Sequence, residues 1–135
     1  MAFTKEKYRL LKSIAVRNYE KIGQIYCPYF HESVHFNSIG IEHILFRHRD
    51  NRRPERDQYP RLKVLYLAPA IISLSHTLQS YGVRIENNTM VRYYVFSALL
   101  NTRTTIVVVR QVGNGSKHFF SLMPDWRKNK FPRER

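Results

Sequence analysis

The chain of 135 residues carries 23 Lys and Arg residues against ten Asp and Glu residues, a formal net charge of +13 at pH 7. Its 43% hydrophobic content is enough for an ordinary folded core and argues against disorder. The single cysteine, Cys27, excludes an internal disulfide and a cysteine-based zinc cluster. We find no apolar signal segment and no apolar run of the roughly 20 residues that a membrane span needs. We therefore expect one cytoplasmic domain over residues 1–135.

The positive charge is concentrated in three segments of the chain. Residues 1–21 contain six basic residues, residues 47–63 contain seven, and the tail from Arg127 contains five. Long apolar stretches lie between these segments, so the pattern indicates a folded domain with basic patches. Nucleic acid is the usual partner of such patches. A basic protein held within an acidic complex is the alternative.

The N-terminal part of the chain is predicted to contain a helix and a short hairpin. Residues 4–21 form an amphipathic helix that Gly23 ends. Its face consists of Leu11, Ile14, Ala15, Asn18 and Ile22. Residues 24–29 and 31–36 are short, aromatic and interrupted by Pro28, which predicts a ragged hairpin or an edge strand.

Residues 37–80 are predicted to be the helical part of the domain. The elements are a helix over 39–48 capped by Asn37 or Ser38, a charged surface loop over 49–59, a third helix from Pro60 to Leu67, and a fourth helix over 68–80 with Pro69 at its start. The loop is long enough to suggest a functional role.

A β-meander follows, because the hydrophobic period changes from 3.6 to 2. Strands are expected over residues 91–100, 103–112 and 117–123, joined by Asn101-Thr102 and by Gly113-Asn114-Gly115. An Asn–Gly step is a strong hairpin signal. The chain is thus predicted to be α+β, with N-terminal helices packed on a C-terminal antiparallel β-meander of three to four strands over residues 91–124. A basic tail over residues 126–135 follows.

Two-residue turns in this meander place Arg110 opposite both Tyr93 and Phe119, Val108 opposite Ser121, and Lys117 opposite Val112. Side chains alternate along a strand, so the sheet has two distinct faces. The face expected to pack on the helices comprises Tyr94, Phe96, Ala98, Leu100, Thr105, Val107, Val109, Phe120 and Leu122. The other face comprises Tyr93, Ser97, Thr104, Arg110, Lys117, Phe119 and Ser121, mixed with Val95, Ile106, Val108 and Met123.

This second face carries side chains that suit a nucleic acid. Arg110 and Lys117 can hold a phosphate while Tyr93 or Phe119 stacks on a base. The alternative is a solvated sheet face that happens to carry cations. A slip of one residue, or a bulge, would exchange residues between the two faces.

Two of the six histidines are candidates for chemistry. His43 lies in the second predicted helix on the same side as Arg47, where it could be a general base beside a phosphate-binding cation. His76 belongs to an uncharged stripe of the fourth predicted helix, which indicates a cleft wall or a set of buried hydrogen bonds. The stripe consists of Ser73, His76, Thr77 and Ser80. A structural role is the alternative for both histidines, and it is the role expected for His48 and His118.

The sequence contains no motif for metal or phosphate-loop chemistry. No His-x-x-x-His or His-x-Asp pair has a cluster of carboxylates nearby. We therefore expect no bound metal and no cofactor. A Gly-rich phosphate loop, a nucleophile elbow and paired carboxylates are also missing. The chemistry that remains is metal-independent acid–base cleavage of RNA, in which the 2′-hydroxyl is the internal nucleophile.

Three segments carry a resemblance to a known group of nucleases. They are the helix with Ile41-Glu42-His43-Ile44 and Arg47-His48, the helix with Leu67-Ala68-Pro69, and the meander, which reads Val91-Arg92-Tyr93-Tyr94-Val95, Ile106-Val107-Val108-Val109-Arg110 and Phe119-Phe120-Ser121-Leu122-Met123-Pro124. Over residues 37–124 the chain resembles the superfamily that joins barnase, EndoU, the tRNase colicins and RelE-type toxins, and it is similar to the phage-associated and toxin-type members. The resemblance implies a metal-independent endoribonuclease, often a toxin held by a cognate antitoxin. It also implies catalytic or substrate-contacting roles for His43, Arg110 and Ser121.

Two classes of function remain open at this point. The first is a metal-independent endoribonuclease, a toxin of a bacterial or phage toxin–antitoxin system. In it, His43 or His76 is the general base or acid, Arg110 stabilises the transition-state phosphate, and Ser121 orients it. The flanking phosphates are held by Arg47, Arg61, Lys63 and Lys117. The second class is a non-catalytic basic RNA- or DNA-binding regulatory module, which explains the charge equally well.

The expected partners follow from charge and from the resemblance. RNA is the expected substrate, for example transfer RNA or ribosome-bound messenger RNA. An acidic antitoxin or inhibitor protein could dock on the basic first helix and on residues 49–59. No membrane partner is expected.

Overall fold

The computed structural model describes residues 3–48 and 51–125 of the chain. The helices in this part are α1 (Lys5–Glu20), α2 (Ser38–Leu45), α3 (Glu55–Val64) and α4 (Ala68–Leu74), and a 3-10 turn over Leu65–Leu67 joins the last two. The strands are β1 (Gln24–Cys27), β2 (Glu32–His35), β3 (Phe46–His48), β4 (Asn51–Arg52), β5 (Ser80–Glu86), β6 (Thr89–Leu100), β7 (Arg103–Val112) and β8 (Lys117–Pro124). The α+β fold class is confirmed. The predicted basic tail lies outside the described residues.

Six strands form one sheet in the order β1-β2-β8-β7-β6-β5, and β3 pairs with β4 in a separate ribbon. Neighbouring strands of the large sheet are antiparallel, except that β2 and β8 run parallel. The predicted sheet, a C-terminal meander of three to four strands, is too small, because six strands form the large sheet. The N-terminal hairpin β1–β2 joins the edge of the meander, and β5 extends the meander at the other edge. The helices are therefore interspersed with strands rather than all N-terminal to the sheet.

The helices cover one face of the large sheet. The sheet residues that form the core are Phe96, Val107, Val109, Phe119 and Leu122, each at most 1% exposed. The helices and the 3-10 turn contribute Ile44, Leu62, Leu65, Ile71 and Ile72. Removal of this apolar surface from water is the main stabilising contribution to such a fold.

Helix α1 matches the predicted helix to within a residue at each end, but its most buried side chains are different. Thr4 caps its N-terminus. Tyr8 and Tyr19 are 3% and 2% exposed, and the Tyr19 hydroxyl donates to the carbonyl of Asn37 at 2.6 Å. Of the predicted face, Leu11, Ala15 and Ile22 pack partly buried against the core, whereas Ile14 remains 46% exposed. The two buried tyrosines therefore hold α1 against the rest of the domain.

The predicted hairpin at residues 24–36 is confirmed as the antiparallel pair β1–β2. Helix α2 also begins as predicted, because the Asn37 side chain accepts a hydrogen bond from the backbone N–H of Ile39 at 3.1 Å. It ends at Leu45 instead of His48, since Phe46 already has an extended backbone and opens β3. The predicted helical positions of Arg47 and His48 are therefore wrong.

The charged segment predicted as a surface loop contains the start of α3. Pro60 lies inside this helix rather than at its first turn, although its missing N–H removes one helical hydrogen bond. Gln58, two residues before this proline, is fully buried. Its side chain accepts from the Tyr8 hydroxyl at 2.6 Å and donates to the carbonyl of Arg53 at 2.8 Å. A tertiary network thus makes this segment helical.

Helix α4 ends at Leu74, so the predicted helix over residues 68–80 is too long. Ser75 takes an extended backbone conformation, and its carbonyl accepts a hydrogen bond from the backbone N–H of Tyr29 at 3.0 Å. The predicted stripe of Ser73, His76, Thr77 and Ser80 therefore does not exist. His76 lies exposed in the connection to β5.

Strand β5 was not predicted. Its turn to β6 consists of Asn87 and Asn88, both of which have positive φ angles, of 52° and 62°. Asparagine tolerates the left-handed region better than most residues, so this pair forms a tight hairpin turn without glycine. Residues 80–86 then pair with residues 89–95 along the whole of β5.

The register of the meander is as predicted between β6 and β7 and differs in part of β8. Arg110 pairs with Tyr93, and Val108 pairs with Ser121, as expected. The register then shifts, so that Arg110 lies opposite His118 instead of Phe119 and Lys117 lies opposite Gln111. A bulge at Phe120 absorbs the extra residue.

This bulge exchanges residues between the two predicted faces. Phe119 is fully buried and its ring stacks on Phe36 at a centroid distance of 5.1 Å. Phe120 and His118 lie instead with Arg110 on the opposite face.

Among the described residues, no helix combines the length and the apolar character needed to cross a lipid bilayer.

Candidate functional site

His43 lies in the last turn of α2, with its ring against the bulge in β8. The ring centroids of His43 and Phe120 are 4.2 Å apart, and the ring planes are inclined by 34°. The Nδ1 atom of His43 is buried and has no hydrogen-bond partner among the described residues. Buried polar atoms usually have partners, so an unpaired one is a candidate contact for a ligand.

Two arginines that follow α2 in the chain lie beside His43. Nε of Arg53 donates to the carbonyl of His43 at 3.1 Å, which satisfies one of the free carbonyls at the end of α2. Nη1 of Arg61 donates to the carbonyl of Asp57 at 3.0 Å, while its buried Nε has no partner in the described part of the chain. Burial lowers the pKa of both guanidinium groups, but arginine remains charged in proteins.

One carboxylate lies among these cations. Asp57 Oδ2 is 2.7 Å from Nη2 of Arg47, and both side chains are nearly half exposed. The charge of Asp57 partly offsets the mutual repulsion of Arg47, Arg53 and Arg61. Three guanidinium groups around one carboxylate leave an excess of positive charge here.

The sheet adds a further cation and an aromatic contact. The Arg110 guanidinium lies 4.5 Å from the ring centroid of Phe120. Tyr93 packs edge-on against Phe120 at 5.7 Å and donates a hydrogen bond to Oε2 of Glu86 at 2.6 Å. Because the Phe120 ring contacts both His43 and Arg110, it joins the helical side of the site to the sheet.

His118 holds Arg110 in place. Nε of Arg110 donates to Nε2 of His118 at 3.0 Å, and His118 is 6% exposed. An Nε2 atom that accepts a hydrogen bond carries no proton, so His118 is neutral in this arrangement. Burial first, and then the charge of Arg110, lower the pKa of His118 to about 4.

His43 is also neutral near pH 7. Burial first, and then the nearby charges of Arg53, Arg61 and Arg110, lower its pKa to about 4. A neutral imidazole surrounded by guanidinium groups can accept a proton and lies next to cations that attract anions. We call His43, Arg53, Arg61, Arg110 and Phe120 the His43 cluster.

Several residues predicted for the site do come together. His43, Arg61 and Arg110 belong to the His43 cluster, Arg47 lies at its edge through Asp57, and Tyr93 borders it through Phe120. Ser121 follows Phe120 in β8 and lies opposite Val108, on the face that carries Arg110.

Other predicted site residues lie elsewhere. His76 is exposed in the connection between α4 and β5, and Phe119 belongs to the core. Lys117 forms an ion pair with Glu32 and lies 4.9 Å from the ring centroid of Phe30. Lys63 lies over the ring of Tyr59 at 5.6 Å. Two residues along a helix correspond to about 200°, so Lys63 points away from Arg61.

Three residues of the site were missed. Arg53 belongs to the segment that the sequence predicts as a loop, His118 is expected to be structural, and the predicted register places Phe120 on the wrong face. Only the charge of residues 47–63 could have pointed to Arg53. The positions of His118 and Phe120 depend on the bulge, for which the sequence shows no clear signal.

The side chains of the site suit an anion better than a cation. In the described part of the chain, no three His, Cys, Asp or Glu side chains are grouped so that they could hold a metal ion. Arg53, Arg61 and Arg110 instead present several N–H donors, which match the oxygens of a phosphate. The geometry therefore favours a phosphate or phosphodiester ligand.

Comparison with known proteins gives no match to any family model, any curated protein or any solved structure.

Proposed function

We propose that the protein is a metal-independent endoribonuclease whose active site is the His43 cluster. The observation that carries this proposal is the position of one neutral, partly unpaired imidazole among three arginines. Such a site can bind a phosphodiester and accept a proton from a neighbouring hydroxyl. RNA supplies that hydroxyl at its 2′ position, adjacent to the phosphate.

Binding of the phosphate prepares His43 for proton transfer. In the free site, burial first and then the charges of Arg53, Arg61 and Arg110 keep the pKa of His43 low. A bound phosphodiester offsets these charges, so the pKa of His43 rises towards the neutral range that suits a general base. The substrate itself thus adjusts the basicity of the catalytic group.

Each residue has a defined part in the proposed reaction. The His43 imidazole accepts the 2′-hydroxyl proton, and the 2′-oxygen attacks the adjacent phosphorus. Arg110, held by His118, stabilises the negative charge of the phosphorane, while Arg53 and Arg61 neutralise the phosphate oxygens. The 5′-oxygen leaves with a proton from solvent, and the products are a 2′,3′-cyclic phosphate and a free 5′-hydroxyl.

The test is cleavage of total RNA and transfer RNA by purified protein in EDTA, with a His43→Ala variant. We expect cleavage that survives chelation and falls by about 10²–10⁴-fold in this variant. His76→Ala is the matched control, because His76 is an exposed histidine outside the cluster. Full activity in His43→Ala, or loss of activity in His76→Ala alone, would overturn the assignment of His43.

A non-catalytic RNA- or DNA-binding module is the second candidate function. The observation that favours it is that His118, the other imidazole near the site, is already engaged by Arg110 and is not free to act as an acid. Under this alternative the same assay would show intact RNA together with tight, salt-sensitive binding.

The biological setting is also part of the proposal. The resemblance to toxin-type nucleases supports a toxin of a bacterial or phage toxin–antitoxin system, acting in the cytoplasm on transfer RNA or ribosome-bound messenger RNA. The high positive charge is consistent with such substrates. Growth arrest on expression of the wild-type protein, but not of His43→Ala, is the expected result.

A further inference from the structure

Helix α1 presents an apolar surface that the rest of the described structure only partly covers. A groove of about 380 Å³ lies between α1 on one side and α3, the 3-10 turn and the start of α4 on the other. The α1 wall includes Leu11, Ile14 and Ala15, and the opposite wall includes Leu62 and Tyr66. We call this the α1 groove.

The apolar band of α1 continues beyond the contact that holds the helix to the core. Tyr8 and Tyr19 are buried, but Ile14 is 46% exposed and Leu10 is 65% exposed. Across the groove, Tyr66 is 63% exposed. Single exposed apolar side chains are normal, whereas a continuous set along an open groove is typical of a docking site.

The rim of the groove carries basic residues on its α1 side. Lys7, Ile14 and Lys21 recur at seven-residue intervals, so the two lysines lie by helical position on either side of the groove residue Ile14, along α1 and its C-cap. Arg17, by contrast, lines a separate cleft that also contains two carboxylates. Neither lysine has an ion-pair partner in the described part of the chain. A third cation, Lys63, lies on the opposite wall, and none of the described residues that line the groove is a carboxylate.

We propose that the α1 groove binds an acidic amphipathic helix of a partner protein. Such a helix places its apolar side chains against Leu11, Ile14 and Tyr66 and its carboxylates against the basic rim. Helix α1 has 16 residues and is therefore about 24 Å long, which matches four turns of a partner helix.

Three other occupants of the groove are conceivable: a second copy of the chain, residues 126–135 of the same chain, and RNA. Their charge and polarity distinguish them from an acidic helix. A second copy of the chain carries the same net charge of +13, and residues 126–135 are also predominantly basic, so both are repelled by the rim. RNA would be attracted by the rim but would place phosphates and sugars against apolar walls. An acidic helix satisfies both features of the groove, and this inference does not depend on the chemistry of His43.

The test uses a synthetic 16-residue helical peptide that has leucine along one face and glutamate on the other positions. We expect it to bind the full-length protein, and we expect Ile14→Glu to weaken binding by about tenfold or more. Leu99→Glu is the matched control, because Leu99 is a 68% exposed apolar residue of β6. This control should bind like the wild type.

Three results would overturn the inference. They are equal binding of a peptide with the same composition but scrambled leucines, equal binding to Ile14→Glu, and self-association of the protein that Ile14→Glu abolishes. The first would show attraction by charge alone, and the third would identify a second copy as the occupant. RNA cleavage assayed in parallel separates failure of this inference from failure of the proposed function.

Discussion

The orientation of Arg110 depends on a hydrogen bond from its Nε atom to Nε2 of His118 at 3.0 Å. The guanidinium group also interacts with the Tyr93 hydroxyl, so it is held from two sides. The bond to His118 forms because the shifted register of β8 places His118 directly opposite Arg110. We therefore regard His118 as a positioning residue that acts through Arg110.

Removal of this acceptor should weaken the site without destroying the fold. His118→Phe keeps a buried ring but removes the hydrogen bond to Arg110, so we expect RNA affinity to fall by about tenfold. His118→Gln keeps an acceptor and should recover part of the loss. Fluorescence anisotropy with a short oligonucleotide gives the affinities, and thermal unfolding checks the fold. Equal affinity for both variants and the wild type would show that His118 is only structural.

At the scale of secondary structure, the close approach of α2 to β8 is what brings His43 to Phe120. Gly40 makes this approach possible. A Cβ atom at position 40 would lie 2.5 Å from the Phe119 ring and 2.7 Å from the Phe119 carbonyl oxygen. Backbone atoms cannot move aside as a flexible side chain can, so a larger residue must push the helix away from the strand.

Gly40→Ala should therefore affect both stability and the site. We expect the free energy of unfolding to decrease by about 1–3 kcal/mol, because the added methyl group overpacks the core. His43 should move away from Phe120, and RNA affinity should fall as well. Urea unfolding and RNA binding measure the two effects. Gly82→Ala is the control, since a Cβ atom there meets no atom within 4 Å; a similar loss in both variants would contradict the explanation.

The strand register could be predicted from the sequence between β6 and β7, but not where β8 has its bulge. The Asn101-Thr102 turn fixes the register of β6 and β7, because both residues adopt the positive φ angles that a two-residue hairpin turn needs. The turn before β8 is longer, and the bulge at Phe120 then restores the alternation only from Ser121 onwards. The alternation of residues along β8 cannot reveal this register shift, because the bulge is stabilised by the packing of Phe119 against side chains that are distant in the sequence.

At the scale of the whole molecule, two buried histidines couple stability to pH. A histidine in the unfolded chain titrates near pH 6.5, whereas burial and the nearby arginines hold the pKa values of His43 and His118 at about 4. Between these values the unfolded state binds more protons than the folded state. The free energy of unfolding therefore decreases as pH falls from about 6.5 towards 4, and this contribution is fully present above pH 6.5.

Replacement of these histidines should flatten that dependence. We expect His43→Gln and His118→Gln each to reduce the loss of stability between pH 7 and pH 4.5, and the double variant to reduce it most. Chemical denaturation at a series of pH values gives the slopes. His76→Gln, at an exposed histidine outside the His43 cluster, is the matched control variant. A double variant with the wild-type slope would mean that neither histidine is held neutral in the folded state.

The sequence alone determined the features of this protein that depend on local chemistry. The cap of α2 at Asn37, the hairpin β1–β2, the β6–β7 register and the basic charge are all properties of neighbouring residues or of composition. The tertiary structure decided the rest. Helix α3 contains the buried Gln58, whose side chain bonds to Tyr8 of the distant helix α1. The bulge in β8 places the ring of Phe120 against His43. These contacts join residues that are far apart in the chain, so their free energies are absent from any local pattern.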